Sequence, residues 1–186
     1  FTFRIIDQKM VVHQNVSGNP LLNIGDEIIS INDMPVDALL DRLLRFVKAD
    51  GGNDNKRYFD LQVFGVDNFE AFDVYLPFVV SLGTTIALRL KDYQTEETEE
   101  ATVQLLNRKE RYQRLGDKYG NEIVTYDDYW NFEIIQDSIA YLKLGTFVTW
   151  RMSINWKNYL KEVFDEIRRK KLDYLIIDIR GNEGGL

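Results

Sequence analysis

Apolar and polar residues alternate in short runs through the first hundred positions, and polar turns separate these runs. Thr84–Asp92 shows the pattern well, because Ile86, Leu88 and Leu90 alternate with exposed residue types, as in a half-buried strand. The pattern predicts strands at Phe1–Ile6, Met10–Val16, Glu27–Asn32, Thr84–Asp92 and Ala101–Leu106. Between them, the apolar residues of Val36–Val47 recur at helical spacing and predict one helix. The first half of the chain is therefore expected to be β-rich.

Aromatic residues are concentrated in a stretch that interrupts this β-rich pattern. Arg57–Phe64 and Phe69–Val80 fit two short amphipathic helices, and Pro77 should bend or end the second helix. An aromatic stripe at helical spacing usually forms core or interface rather than a cofactor site. We therefore predict a helical insertion over about 54–81.

In the last third of the chain, the spacing of the apolar residues changes. Ile139–Leu144 is predicted to be a strand, and Asn155 is a suitable N-cap for an amphipathic helix that continues to Lys171. Leu175–Ile179 is a nearly unbroken apolar run, which is typical of a strand buried on both faces. Strand, helix and buried strand together predict a right-handed βαβ crossover with parallel strands.

A charged stretch, Arg108–Gly120, separates the two patterns and is expected to be a linker that is helical at first and that Gly116 and Gly120 break. We therefore predict one domain over residues 1–115 and a second over residues 116–186. The acidic stretch Thr95–Glu100 is expected to be a solvated turn. The overall class is α+β or α/β.

Composition removes several kinds of function. A net charge of −7 argues against a nucleic-acid partner, because phosphate binding needs a basic face. The absence of cysteine excludes disulfides, thiolate metal sites and a cysteine nucleophile. His13 is the one histidine and is expected on a strand surface, so neither a metal site nor a cofactor is predicted. No run approaches the roughly 18 apolar residues of a membrane span.

The stretch Gly25–Asn32 resembles the PDZ signature, in which a Gly-Asp turn enters a strand that ends in Ile-Asn-Gly. The matching positions are Gly25, Asp26, Ile28, Ile31 and Asn32. Asp33 stands where the signature has its last glycine, and the Gly-Leu-Gly-Phe loop that holds a peptide carboxylate is absent. A generic turn and strand is the alternative interpretation, and binding of a free C-terminus stays open.

The C-terminal stretch carries a more specific resemblance. Ile139–Phe147 and the later Asp178–Gly185 are similar to the two motifs of the C-terminal processing (tail-specific) serine peptidase family, which includes the tricorn core and the interphotoreceptor retinoid-binding proteins. The fixed positions of the second motif are Asp178, Arg180, Asn182, Gly184 and Gly185. Ala140 and Ile179 stand where the family usually has glycine and leucine. The resemblance implies a PDZ-like domain with its insertion, followed by the first βαβ portion of a peptidase catalytic domain.

The activity that this resemblance implies is hydrolysis of peptide bonds by a serine nucleophile with a lysine base. In the family both residues lie downstream of the second motif, so we expect them beyond residue 186 and expect this chain alone to be an inactive fragment. Gly184 and Gly185 are the candidates for the oxyanion hole. Asp178, Arg180 and Asn182 are expected to shape the loop by hydrogen bonds.

Two other functions stay open: a non-catalytic binding protein of the same fold, and a PDZ-like peptide-binding module. Nucleotide binding is disfavoured because no Gly-x-Gly-x-x-Gly or Gly-Lys-Ser/Thr motif is present. The expected partner is a polypeptide substrate. The resemblance also implies an exported protein, either periplasmic or anchored to the outer surface of a membrane, or a plastid protein. Apolar surface on residues 139–186 is expected to favour a homo-oligomer of this chain.

Overall fold

The computed structural model describes residues 1–49, 51–65, 69–120, 125–182 and 184–185. The chain divides into two compact units, Phe1–Asn121 and Glu122–Leu186. The division lies a few residues after the boundary expected between 115 and 116, because a continuous helix runs through that position.

The first unit is built on an antiparallel sheet. Its strands are β1 (Thr2–Ile6), β2 (Lys9–Gln14), β3 (Glu27–Ile31), β4 (Met34–Pro35), β5 (Thr85–Lys91) and β6 (Thr98–Gln104). The order across the sheet is β1-β2-β3-β5-β6, and the short β4 pairs with β3. Asp7 and Gln8 join β1 to β2 with φ angles of 50° and 65°, which is the left-handed geometry of a tight hairpin turn. His13 lies exposed on β2, as expected.

In the described part of this unit, the sheet is accompanied by α1 (Val36–Leu43), α2 (Asp54–Leu61), α3 (Ala71–Tyr75) and α4 (Arg108–Tyr119). Pro77 lies in a 3-10 turn, Leu76–Phe78, that directly follows α3. The predicted insertion is helical, but its first helix begins and ends three residues earlier than expected, so Gln62–Phe64 are not helical. The expected helix over 36–47 ends at Leu43.

One apolar core fills the first unit. The helix α1 buries Val36, Leu39, Leu40 and Leu43, which is the spacing of a single helical face. The alternating residues of β5 are buried as predicted, and the insertion adds further side chains to the same core. The insertion residues in this core are Leu61, Val63, Ala71, Phe72, Leu76 and Val80.

Two expectations for residues 95–120 are wrong in part, although Thr95–Glu100 is exposed and the helix from Arg108 ends before Gly120, as expected. Thr98–Glu100 are part of β6 rather than a turn, which an edge strand tolerates because its charged side chains face solvent. Gly116 lies inside α4 and does not interrupt it. The helix starts at a reciprocal cap between Asn107 and Glu110, and its buried Leu115 fixes it to the first unit.

The second unit is smaller and mixed. Its elements are a 3-10 turn (Tyr126–Tyr129), β7 (Trp130–Ile135), β8 (Ile139–Leu144), a 3-10 turn (Thr149–Arg151), α5 (Trp156–Lys170) and β9 (Tyr174–Asp178). β7 and β8 are antiparallel, whereas β8 and β9 are parallel and α5 lies in the connection between them. The Asn155 side chain accepts a hydrogen bond from the Asn158 amide, so Asn155 is the N-cap of α5, as predicted.

The strand β9 is not buried on both faces. Its apolar residues, together with Ile179, are between 39% and 56% exposed, and Asp178 is the one residue of the strand that is buried. β9 also lies at the edge of a three-stranded sheet. An apolar run indicates that a strand can be buried beneath other elements, but the described residues of the second unit do not bury β9. No helix in the described ranges has the length and apolar character to cross a membrane.

Candidate functional site

The loop after β9 lies at the carboxyl end of a parallel strand pair. The strands β8 and β9 are in register from Ile139 opposite Tyr174 to Lys143 opposite Asp178, so both strands end at the same edge. Loops at this edge of a parallel sheet commonly hold ligands and reacting groups. The described residues after the strand, 179–182 and 184–185, form the candidate site together with Asp178.

Asp178 is the buried charge of the site, with 7% of its surface exposed. Its carboxylate accepts hydrogen bonds from the Arg180 backbone amide at 2.9 Å and from the Arg180 guanidinium at 2.6–3.1 Å. The Tyr141 hydroxyl donates a further hydrogen bond from β8. A buried carboxylate needs such donors, because burial without them disfavours its charge.

These contacts change how the three groups titrate. The Arg180 hydrogen bonds, followed by the one from Tyr141, hold the pKa of Asp178 well below its usual range. The carboxylate in turn raises the pKa of Arg180 above its usual range and, through its hydrogen bond, raises the pKa of Tyr141. Asp178 is therefore a fixed anion that holds the first turn of the loop.

Asn182 fastens the middle of the loop to the end of β8. Its side-chain amide donates to the Leu144 carbonyl at 2.7 Å, and its side-chain oxygen accepts from the Gly184 amide at 2.7 Å. Its backbone amide donates to the Ile179 carbonyl at 3.1 Å. One side chain thus links the strand end, the turn and the glycine pair.

The glycine pair packs against the segment that follows β8. The Gly184 carbonyl accepts a hydrogen bond from the Phe147 amide at 3.0 Å, and Gly184 has a φ of +92°. A Cβ atom on Gly185 would lie 2.3 Å from the Phe147 carbonyl oxygen. This distance is too short for any side chain, so the backbone would have to move. Glycine is needed at 185 because two backbone segments approach each other closely there.

Four residues of the second motif therefore lie in one loop, and Asp178 ends the strand directly before it. The three residues expected to shape it, Asp178, Arg180 and Asn182, make the hydrogen bonds that fix it. The Gly184 amide already donates to Asn182 in this geometry, so it is turned towards the loop itself.

The residues of the PDZ-like motif lie in the first unit and have structural contacts. Ile28 and Ile31 are fully buried, and Gly25 enters the strand with a φ of +99°. The buried Asp26 accepts a hydrogen bond from the Asn23 amide at 3.0 Å. Asn32 accepts from the Ala87 amide and donates to the Ser81 carbonyl, which fixes the turn after β3.

Tyr141 and Phe147 are the residues of the loop's surroundings that sequence reasoning did not single out. Tyr141 stands opposite Ile176, two residues before Asp178, and side chains two residues apart share one face of a strand. If the pairing register of β8 and β9 had been known, it would therefore have placed Tyr141 beside Asp178. No sequence signal was available for Phe147, because it contributes backbone atoms to the contact with Gly184.

The segment that holds the strand pair and the loop is similar to one known family of peptidases. Residues 138–186 match the model of peptidase family S41, which confirms the resemblance to the tail-specific serine peptidases. The match covers the second unit's strands β8 and β9, helix α5 and the glycine-rich loop.

Three solved structures of CPAF are similar to the whole chain. Mature CPAF and mature CPAF complexed with lactacystin each give a TM-score of 0.56 at 12% identity, and a CPAF mutant gives 0.57 at 13%. Each comparison covers 100% of this chain and 40–41% of the solved chain. At this identity the likeness shows the fold. This chain spans about two fifths of the length of those chains, and no curated protein sequence matches it.

Proposed function

We propose that this chain is part of a serine endopeptidase of the tail-specific kind, whose serine and lysine lie outside residues 1–186. The observation that carries the proposal is the glycine-rich loop within the segment that matches peptidase family S41. This loop is hydrogen-bonded to the end of β8 through Asn182 and packs its glycine pair against Phe147.

The proposed chemistry is attack of a serine hydroxyl on a peptide carbonyl while a lysine amine accepts the hydroxyl proton. The carbonyl oxygen becomes an oxyanion, the C–N bond breaks, and the protonated lysine returns the proton to the leaving amine. Water then hydrolyses the acyl-enzyme by the same steps. The role of this chain is to supply rigid backbone beside the reacting carbonyl, because backbone N–H donors stabilise an oxyanion most when they are already oriented.

Gly185 is the stronger candidate for that donor, because the Gly184 amide donates to Asn182. Gly184 could contribute only after Asn182 releases it. Asp178, Arg180 and Asn182 are then positioning residues, which act through the loop and do not touch the substrate. The serines whose hydrogen bonds are described have other partners: Ser17 donates to Asn15 and Ser153 donates to Asp127.

We further propose that the first unit is PDZ-like and handles a polypeptide. The support is the Gly25–Asn32 motif, which lies on β3 inside an antiparallel sheet with α1 beside it in the same core. Export to the periplasm or to an outer membrane surface is part of the same proposal and is supported by the resemblance.

The test begins with the coding region that surrounds this chain. A serine followed by a lysine downstream of Leu186 is expected, and the encoded protein should cleave an unfolded polypeptide while the 186-residue chain does not. In the longer protein, Gly185→Ala should lower kcat by roughly a hundredfold, because the added Cβ atom would displace the backbone amide from the oxyanion.

Glu162→Gln, on the exposed face of α5, is the matched control and should leave cleavage unchanged. A coding region without the serine and lysine would contradict the peptidase proposal. It would favour a binding protein of the same fold, and ligand screens would then replace cleavage assays.

A further inference from the structure

The outer edge of β1 is paired with a segment of the insertion. β1 is the first strand in the sheet order, so one of its edges has no neighbouring strand. At that edge the Phe3 amide donates to the Val63 carbonyl at 3.3 Å, and the Val63 amide donates to the Phe3 carbonyl at 3.3 Å. The two residues form an isolated antiparallel bridge. Val63 therefore lies where an added strand would lie.

Side chains continue this pairing along the same edge. The next outward-facing donor of β1 is the Ile5 amide, and it bonds to the Gln62 side-chain oxygen at 3.3 Å. The Arg4 guanidinium donates to the Val63 carbonyl at 3.0 Å and lies 4.0 Å from the centre of the Phe64 ring. Backbone pairing at an open edge, with side-chain contacts at alternate positions, is how sheets accept extended peptides.

The segment also fills the space that the side chains of an added strand would need. Leu61 is fully buried and Val63 is 2% exposed, and both belong to the core of the first unit. Phe64 lies further along and contacts Phe59, with ring centres 5.4 Å apart. Apolar residues at alternate positions are thus seated in the core beside β1.

Glu70 and Gly65 hold the far end of the segment. The buried Glu70 carboxylate accepts hydrogen bonds from the Phe64 amide at 3.2 Å and the Gly65 amide at 2.6 Å. Gly65 has a φ of +84°, and a Cβ atom there would lie 2.4 Å from a Leu115 methyl carbon. Gly65 is therefore needed at the end of the segment for its backbone angle and its close contact, and Glu70 fixes that end by two hydrogen bonds.

We infer that Leu61–Gly65 is an internal occupant of a polypeptide-binding edge. The edge would take an extended polypeptide with apolar residues at alternate positions, and that polypeptide enters by displacing the segment. The contact with β1 is one bridge with two long hydrogen bonds, compared with the five-residue register between β1 and β2. The inference needs no catalytic residue, so it stands or falls separately from the proposed peptidase activity.

The occupant is covalently joined to the sheet, which makes it a strong competitor. A tethered segment acts at an effective concentration on the order of millimolar, so a free peptide meets a closed edge at ordinary concentrations. Its apparent affinity is reduced by the fraction of molecules in which the edge is open. Weakening the segment should therefore tighten binding without any new contact.

Amide hydrogen exchange of the unmodified 186-residue chain gives the first test. The Phe3 and Val63 amides should be protected together, but less than the Leu88 amide on the central strand β5. Exchange of the Phe3 and Val63 amides at unprotected rates would mean that the bridge does not form. Protection equal to that of Leu88 would mean that the segment is a permanent part of the fold. Either result would overturn the inference.

Peptide binding gives the second test. The probe is a fluorescein-labelled peptide with the sequence of Asp60–Gly65, and a scrambled peptide is its control. Val63→Pro removes the amide that bonds to Phe3 and should lower the Kd for the probe by roughly tenfold or more relative to the unmodified chain. Val74→Ala, on the exposed surface of the same insertion, should leave the Kd unchanged.

Equal affinity of the unmodified chain and a folded Val63→Pro variant would overturn the inference, as would equal binding of the scrambled peptide. If Val63→Pro does not fold, the double variant Gln62→Ala with Glu70→Gln replaces it, because it weakens two contacts of the segment and keeps its backbone. The exchange experiment on the unmodified chain decides the matter even if neither variant folds.

Discussion

The Tyr141 hydroxyl on β8 donates a hydrogen bond to the carboxylate of Asp178, the last residue of the parallel strand β9. The same carboxylate accepts the Arg180 guanidinium and backbone amide from the loop that follows. One buried anion therefore joins the middle of β8 and the end of β9 to the start of the glycine-rich loop. The geometry of the candidate site depends on this carboxylate staying charged.

Tyr141→Phe should raise the pKa of Asp178 towards its usual value without restoring it. The Arg180 hydrogen bonds are the larger cause of the lowered pKa and remain, while the phenolic donor is lost. A carboxyl-detected NMR titration of the two proteins measures this directly. Tyr174→Phe on the exposed side of β9 is the matched control. An unchanged Asp178 pKa in Tyr141→Phe would show that the two groups are not bonded in solution.

Acid should remove the stability that Asp178 provides. The folded pKa of Asp178 lies below that of the unfolded chain, about 3.9 for an aspartate. Its contribution to the free energy of unfolding is therefore complete above that value and is lost as the pH falls through the folded pKa. Thermal melts should be recorded from pH 6 down to the lowest pH at which the chain still folds. Over this range, the melting temperature should fall more steeply for the unmodified chain than for Asp178→Asn. Parallel curves would contradict the assignment.

Alanine substitutions should separate the glycines of the loop. Gly185→Ala should be the most costly, because its Cβ atom would overlap the Phe147 carbonyl oxygen and force the loop off β8. Gly181 and Gly184 have φ angles of +75° and +92° with open space around them. Alanine at either should cost about 1 kcal/mol of backbone strain. Urea unfolding of the three variants measures the difference, and a Gly185→Ala variant no less stable than Gly181→Ala would refute the close approach.

The sequence predicted the strands and helix caps that are determined by neighbouring residues. The strand over Ile139–Leu144 and the N-cap at Asn155 were both predicted from spacing and residue type. The Gln62–Phe64 segment was expected to be helical, because its apolar residues continue the spacing of α2. Its actual partner is Phe3, about sixty residues earlier in the chain, and a contact of that separation leaves no mark on the local pattern.

The candidate site shows the same limit. Asp178, Arg180 and Asn182 were singled out through their motif, and in the structure each makes hydrogen bonds at the end of β9 or in the loop after it. The Tyr141 contact required the register of β8 against β9. The composition of β9 predicted a strand buried on both faces, whereas its exposure agrees with the apolar surface expected on residues 139–186.

Glu70 should be one of the most costly residues to truncate in the first unit. It is 4% exposed, accepts two backbone amides of the 61–65 segment and lies 4.0 Å from the Arg111 guanidinium. Glu70→Ala should lower the free energy of unfolding by about 3 kcal/mol, as removal of one partner from a buried charged cluster does. Glu70→Gln should cost less because it keeps one acceptor. Glu100→Ala on exposed β6 is the control and should stay within about 0.5 kcal/mol, and an equal loss in the control would refute the role of Glu70.

The exposed apolar edge of the second unit should make this chain associate. Leu175, Ile176 and Ile177 are all more than one third exposed on an edge strand, and edges of that kind pair with other chains. Light scattering should show an apparent mass that rises with concentration. Ile177→Lys should lower that mass, because a lysine on an edge strand blocks edge-to-edge pairing, whereas Lys161→Ala on α5 should not. If the unmodified chain remained a monomer at the highest soluble concentration, β9 would be exposed without promoting association.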